Sequence, residues 1–333
     1  MAGIQYNTIT GMNAAPITDP YYDKKMRGWM PEGLIGPELY QQLPSATYKG
    51  RIPKQNTAVQ VRSNFALSPD GFPTIKLDFQ ATDTYLLKYR GFTASLDYAD
   101  VEELGGDAMA ALRTLAILNA NVMVGREYQI AKPLIDPTVM LQYINVPVAW
   151  TDPTANILND ITDAISVVRT GVNSQPGCGF VPNVAIVPWE VFNVMIRHPA
   201  LIKAAYFGAV SPGLDVLLAI EKLKAIFAVE KILVPKVMYM TNDVGAATVR
   251  TDVWGKNVIL AKIDYTGSPA AATQSLGYSF VPSSPAVGLA NFNYTWMSPG
   301  ILPEMGKNIT SGFMADDRLI DITCACLLPN VLG

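Results

Sequence analysis

Near the start of the chain, two runs of alternating apolar and polar residues flank a turn sequence. Val59, Val61, Phe65 and Leu67 alternate with Gln60, Arg62 and Asn64, and Ile75, Leu77 and Phe79 alternate with Lys76, Asp78 and Gln80. A period of two is the signature of a β-strand. Between the runs stands Ser68-Pro69-Asp70-Gly71, where proline's fixed φ and glycine's freedom preset a turn. The expectation is one long β-hairpin over Ala46 to Gln80. About eleven paired residues at roughly 3.3 Å each reach about 35 Å, longer than the strands of an ordinary compact domain. A two-stranded ribbon is marginal alone in water, and this one carries an apolar face. It belongs either to a sheet within one core or to a projection that lies on another surface, and the alternation is equally compatible with both.

The rest of the chain decides what surrounds this ribbon. Residues 1–44 are rich in Pro, Gly and polar groups, with one short helical candidate at Pro37 to Gln42, and read as an extended arm. Tyr85 to Tyr98 is strand-like, and Gly105-Gly106 breaks the chain before an apolar segment from Asp107 to Ile135, with Asp107 as N-cap. Ile117, Ala120, Val124, Tyr128, Ala131 and Ile135 recur at the spacing of one helix face, which predicts the inward face. Leu112 to Leu118 is apolar almost all round, so the helix is expected to be mostly buried. About 29 residues at 1.5 Å each span roughly 43 Å, with Pro133 predicting a kink or an early end in the last turn. Arg113, Asn119, Asn121 and Arg126 exclude a membrane-spanning reading.

Beyond the helix the pattern predicts a strand at Tyr143 to Ala149, a helix at Ala155 to Gly171 and a strand at Pro182 to Val187. Helices follow at Trp189 to Arg197, Pro199 to Tyr206 and Leu214 to Phe227, then strands at Ile232 to Met240, Ala247 to Val253 and Asn257 to Asp264. A loop-like stretch from Thr266 to Gly288 holds a strand at Leu276 to Phe280, and Leu319 to Leu328 reads as a closing strand. The class is α+β, with a second lobe and no internal repeat.

Half of the 333 residues are hydrophobic and 16% are charged. That predicts a large core and apolar surface covered by neighbouring chains, hence an oligomer. A formal charge of -3 excludes a surface that tracks a phosphate backbone throughout. The N-terminus lacks a basic start followed by an apolar run, and no stretch has transmembrane length, so the expected setting is the cytosol. There Cys178, Cys324 and Cys326 stay reduced, and the Asn293 and Asn308 sequons are chance occurrences.

Motifs that carry chemistry are missing. His198 is the one histidine, so a nucleophilic triad would have to use it as base, and no G-x-S-x-G elbow supplies the nucleophile. Cys324-x-Cys326 lacks the spacing of a structural zinc site, and small apolar packing is the simpler use. No phosphate-binding glycine motif is present; Gly177-Cys178-Gly179 precedes a strand and predicts a turn. Asp316-Asp317 and Glu102-Glu103 are adjacent and diverge, so they are expected in solvated loops or helix starts rather than as paired acid and base. Lys24, Lys25 and Arg27 beside Trp29 read as a solvated face, with contact to nucleic acid or an acidic neighbour as the alternative. No catalytic residue, metal ligand or cofactor is predicted.

Arm, projecting hairpin, long helix, α/β lobe and closing strand form an order that resembles the Hong Kong 97-type major capsid proteins of tailed bacteriophages. The stretch from Ile161 to Ala209 is similar to that family's helix, Pro-Asn strand and helix ending in a His-Pro pair. Val253-Trp254-Gly255 followed by Val258-Ile259-Leu260 resembles its Trp-Gly turn into an axial-domain strand. The resemblance implies an N-terminal arm over 1–44, an extension loop over 45–82, a peripheral domain over 83–178 with a spine helix at 107–135, and an axial domain over 179–307. Residues 308–333 would return to the peripheral domain as the closing strand.

It also implies an icosahedral shell enclosing double-stranded DNA, built from hexameric and pentameric capsomers in the bacterial cytoplasm, ending in the virion. A portal protein, separate scaffolding and decoration proteins and non-specific contact with packaged DNA would be its partners, with no membrane. Each hairpin would lie on a neighbour through Lys54, Arg62, Phe65, Pro69, Asp70, Gly71, Phe72 and Lys76. Lys49, Lys54 and Lys76 could supply a family-type cross-link, but nothing marks them as reactive, and none is predicted. An encapsulin-like nanocompartment shell enclosing an enzyme cargo is the nearest alternative, and a cytosolic α/β enzyme a distant one.

Overall fold

The computed structural model describes residues 32–52, 83–96, 107–172, 174–205, 220–241, 249–265, 274–285, 287–288, 290–296 and 307–333. The N-terminal segment carries helix α1 (Gly36–Leu39), strand β1 (Gln41–Ser45) and strand β2 (Lys49–Ile52). Strands β3 (Asp83–Leu86) and β4 (Lys88–Leu96) lead to helix α2 (Asp107–Ile135), whose limits are those expected from sequence. Pro133 lies inside α2 without shortening it, because only the final residues of the last turn follow it.

The second part runs through α3 (Ile157–Thr170), β5 (Gly171–Val172), β6 (Gln175–Pro176), β7 (Val184–Ile186), α4 (Trp189–Met195), α5 (Pro199–Ala205) and α6 (Ile220–Phe227). Then come β8 (Lys231–Leu233), β9 (Met238–Met240), β10 (Arg250–Asp252), β11 (Val258–Ala261), β12 (Gly277–Pro282), β13 (Asn291–Trp296), β14 (Lys307–Leu319) and β15 (Ala325–Leu328).

Two sheets organise the described residues. One has the order β15-β11-β7-β8. Its strands β7, β11 and β15 are buried at every position, and helices α3 to α6 contribute to the same apolar cluster. The other is built round β14, which pairs antiparallel with β4, β13 and β12, while β1 adds to β12 in parallel. Helix α2 packs on β14 through Ala111, Leu115 and Leu118 against Leu96 and Ile309, and through Val122 against Phe313.

Several expectations change. The strand-like stretch from Tyr85 divides at buried Leu87, with β3 pairing to β2 and β4 to β14. Tyr143 to Ala149 forms no extended strand, only a bridge from Tyr143 to Leu327. The predicted strand from Ile232 to Met240 splits into β8 and β9 around Pro235, which has no amide to give to a ladder. The closing strand does not return to the long helix: β15 pairs with β11 in the other sheet. The strand that does return is β14, whose Gly312 and paired aspartates hide its strand character.

Candidate subunit-contact surface

Successive residues on a helix point about 100° apart, and at Arg126 and Glu127 that angle sends two buried charges to different neighbours. Arg126 donates through Nε and Nη2 to both carboxylate oxygens of Asp317 at 2.8 Å, and through Nη2 to Ser279 Oγ at 2.9 Å. Its guanidinium lies 4.9 Å from the centre of the Phe313 ring. This two-pronged pair fixes the register of α2 on β12 and β14. Nearer the start of the helix, Ser311 Oγ hydrogen bonds Asn119 Oδ1.

Glu127 is 1% exposed and accepts three hydrogen bonds: from Trp254 Nε1 at 2.8 Å, Ile35 N at 3.2 Å and Gly36 N at 2.6 Å. Burial pushes its carboxyl above the ordinary value, against the pull of the indole, both amides and Arg126. A Cβ on Gly36 would sit 2.6 Å from Glu127 Oε2, so only glycine lets the backbone come this close. Trp254 is presented by the turn at Gly255, whose φ of +58° is left-handed. One carboxylate therefore ties together the long helix, the N-terminal segment and the Trp-Gly turn.

The strands β2 and β3 pair antiparallel on either side of residues 53–82 and are anchored at their base. Tyr85 stacks on Phe280 with ring centres 4.3 Å apart, and its hydroxyl meets Ser45 Oγ at 2.8 Å. Leu86 N donates to Asp316 Oδ2 at 2.8 Å, and Arg318 Nε to the same oxygen at 2.9 Å. Asp316 and Asp317 do diverge, but both are buried in β14 and engaged on opposite faces of the sheet, which corrects the expected solvated loop.

The outward side of α2 is another correction. Ile117 is 62% exposed, and Met109 and Tyr128 are also exposed, while Ala111, Leu115, Leu118, Ile130 and Leu134 are buried. Of the row expected to point inward, Ile117 and Tyr128 are open, whereas Ala131 is fully buried and Val124 and Ile135 pack on the core. Phe92 on β4 is 53% exposed and Met240 on β9 is 63% exposed, with Tyr89, Met238 and Val249 also open.

The sequence-predicted contact residues Lys54, Arg62, Phe65, Pro69, Asp70, Gly71, Phe72 and Lys76 lie outside the described residues. His198 is 3% exposed, and its Nε2 is 3.1 Å from the carbonyl of Asp152, so its use is to join the α4–α5 corner to a loop. Among the described residues no group of three or more His, Cys, Asp or Glu side chains could hold a metal ion, and no helix is long and apolar enough to cross a membrane. Sequence reasoning missed Glu127, Arg126 and Asp317 as a set. For Arg126 and Glu127 the one visible signal was charge inside an otherwise apolar helix.

No protein-family model and no curated protein matches this chain. Its structure is similar to a phage-related protein from Bordetella bronchiseptica RB50, with a TM-score of 0.66 and 19% identity over 96% of this chain and 98% of that one. A structure from Microbacterium phage Oxtober96 matches at 0.50 and 9% identity over 99% and 96% of the two chains. The mature capsid of bacteriophage PhiM1 matches at 0.48 and 12% over 98% and 92%. Shell structures described as a virus-like particle and an encapsulin complex match as well. Likeness running from end to end, at identities this low, is likeness of fold, and the fold of this chain is shared with the phage-related protein from Bordetella bronchiseptica.

Proposed function

We propose that the chain is a non-enzymatic shell subunit, the major capsid protein of a tailed bacteriophage, whose copies close into an icosahedral head round double-stranded DNA. The observation that carries this reading is the fold shared over almost the whole chain with a phage-related protein. Exposed apolar side chains on α2, β4 and β9 support it, because a repeated copy buries the same surfaces round a closed symmetry. The antiparallel base formed by β2 and β3 supports a hairpin over 45–82 that reaches a neighbour through Lys54, Arg62, Phe65, Pro69, Asp70, Gly71, Phe72 and Lys76. The lobe round β11 would be the axial domain, and α2 with β14 and β4 the peripheral one. Hexameric and pentameric capsomers, a portal, separate scaffolding and decoration proteins and non-specific contact with DNA complete the reading, with assembly in the bacterial cytoplasm and the virion as destination.

The encapsulin match keeps a nanocompartment shell as the second reading. Negative-stain electron microscopy of the chain, expressed alone and with its neighbouring genes, tests both. Closed polyhedral shells or capsomer rings are expected, and their content, DNA or enzyme, separates head from nanocompartment. Phe65→Asp is expected to keep the chain folded and abolish closed shells. A monodisperse monomer under every condition would overturn the shell reading and favour an enzyme.

A further inference from the structure

Strands β9 and β10 form a two-stranded ribbon separate from both sheets. Its ladder runs past the named strands, from Thr241 N on Val249 O at 3.2 Å to Val253 N on Val237 O at 3.0 Å. In an antiparallel ladder, successive residues of a strand turn their amide and carbonyl alternately toward the partner and away from it. Val249 and Val253 turn theirs toward β9, so Arg250 and Asp252, each one step away, turn theirs to the outer edge of β10. Among the described residues no strand pairs with that edge. Arg250 and Asp252 also share a side-chain face, with Met240 and Met238 directly opposite them on β9. The other face carries Tyr239, whose ring lies 5.3 Å from that of Tyr128 on α2. Arg250 and Thr251 are exposed, as are Met238 and Met240.

We propose that the outer edge of β10 is a self-recognition site, to which a second copy of this chain adds its own β10, antiparallel, across a two-fold axis at Thr251. The open backbone groups set this register. An axis at Thr251 puts Arg250 opposite Asp252 of the second copy, and Asp252 opposite its Arg250. Each Arg250 amide then donates to the Asp252 carbonyl of the other copy, and each Asp252 amide to the Arg250 carbonyl, so the outward-facing groups of β10 satisfy one another. The side chains select the same register. Arg250 meets Asp252 of the second copy on both sides of the axis, an opposite-charge cross-strand pair made twice. Among the described residues neither side chain has an ion-pair partner in its own chain. An axis at Arg250 or at Asp252 would instead oppose like charges, and a slip by one residue would turn the side chains to mismatched faces. Pairing also joins two ribbons, each marginal alone, into one wider sheet with Met238 and Met240 of both copies on one face.

The site stands beside the shell reading and does not rest on it, since shells can close through other surfaces and β10 can pair in a chain that closes none. The test puts a thiol on the axis. Thr251→Cys in the full chain, whose native cysteines are buried, is oxidised with copper phenanthroline and read on non-reducing gels, while electron microscopy of the same samples scores shells separately. Residues directly opposite in an antiparallel pair lie within disulfide reach. Thr251→Cys is therefore expected to link into dimers about tenfold faster than Met240→Cys, whose exposed side chain is kept from its counterpart by both β10 strands. Adding Arg250→Asp should slow the linkage about tenfold by opposing carboxylates, and Arg250→Asp together with Asp252→Arg should restore it. Molar salt should slow linkage of the Thr251→Cys chain itself. Equal rates at the two thiol positions, or a linkage indifferent to both salt and Arg250→Asp, would overturn the proposal whether or not shells are seen.

Discussion

The two sheets are held by different physics. In β15-β11-β7-β8 the core strands are buried on both faces and meet apolar helices, so each residue has many interchangeable apolar neighbours and the stabilisation is spread along the strands. Under α2, apolar contacts are interrupted by polar fastenings: Arg126 to Asp317 and Ser279, and Asn119 to Ser311. A hydrophobic interface tolerates small slides, whereas a two-pronged ion pair accepts one register. The contrast teaches that the α/β sheet supplies bulk stability, and the helix–β14 interface supplies alignment of the long element with the paired strands β2 and β3.

Urea unfolding of the unassembled chain can break this contrast, and the greatest loss is expected at the Trp-Gly turn. Trp254→Ala should cost about 4 kcal/mol, from the lost buried ring and from a Glu127 left without its indole donor. Next, Asp317→Ala should cost about 3 kcal/mol by leaving the Arg126 charge buried and unpaired, whereas Arg126→Met with Asp317→Leu should return to within about 1 kcal/mol of the parent. If the double variant is as damaged as the single one, the pair is a net stabiliser and the contrast is wrong. In the apolar sheet, Ile186→Val should cost only about 1 kcal/mol, and a loss as large as that of Asp317→Ala would show that this sheet is as position-sensitive as the other.

The smallest expected effect is on pH dependence. Glu127 has its folded value raised above the unfolded one, chiefly by burial. The folded state therefore holds the proton over a range where the unfolded chain has lost it. The associated stability is present below the ordinary glutamate value and is lost as pH rises through the raised value. Acidifying from neutrality into that interval should strengthen the parent relative to Glu127→Gln, which does not titrate. Asp160 and Asp252 are raised for the same main reason, so the comparison between the two proteins isolates Glu127. A constant difference across the interval would refute the shift.

Helix α2 was legible as one long element because Gly105-Gly106 and the long apolar run are local signals. Its orientation was legible only in part: Val124, Ala131 and Ile135 of the expected row meet the core while Ile117 and Tyr128 do not, because periodicity on an almost uniformly apolar helix does not say which side chains face the sheet. Strand β14 was invisible for the opposite reason: covered on both faces, its side chains follow no clean alternation, and Gly312, Asp316 and Asp317 resemble a turn. The hairpin expected from alternation and turn chemistry over Ala46 to Gln80 falls mostly outside the described residues, which on either side of it show the strands β2 and β3 paired.

By itself, the amino-acid sequence determined the mixed class, the long helix α2 and the lack of any recognisable catalytic motif, because these depend on propensity and pattern within a few turns of chain. Only the tertiary structure decided that β15 closes the sheet of β11, that α2 exposes Ile117, and that Glu127 gathers Trp254, Ile35 and Gly36 round one carboxylate. Those outcomes join residues far apart in the chain, and the energy that selects them, burial of one apolar face over another and satisfaction of a buried charge, exists only once the segments have met.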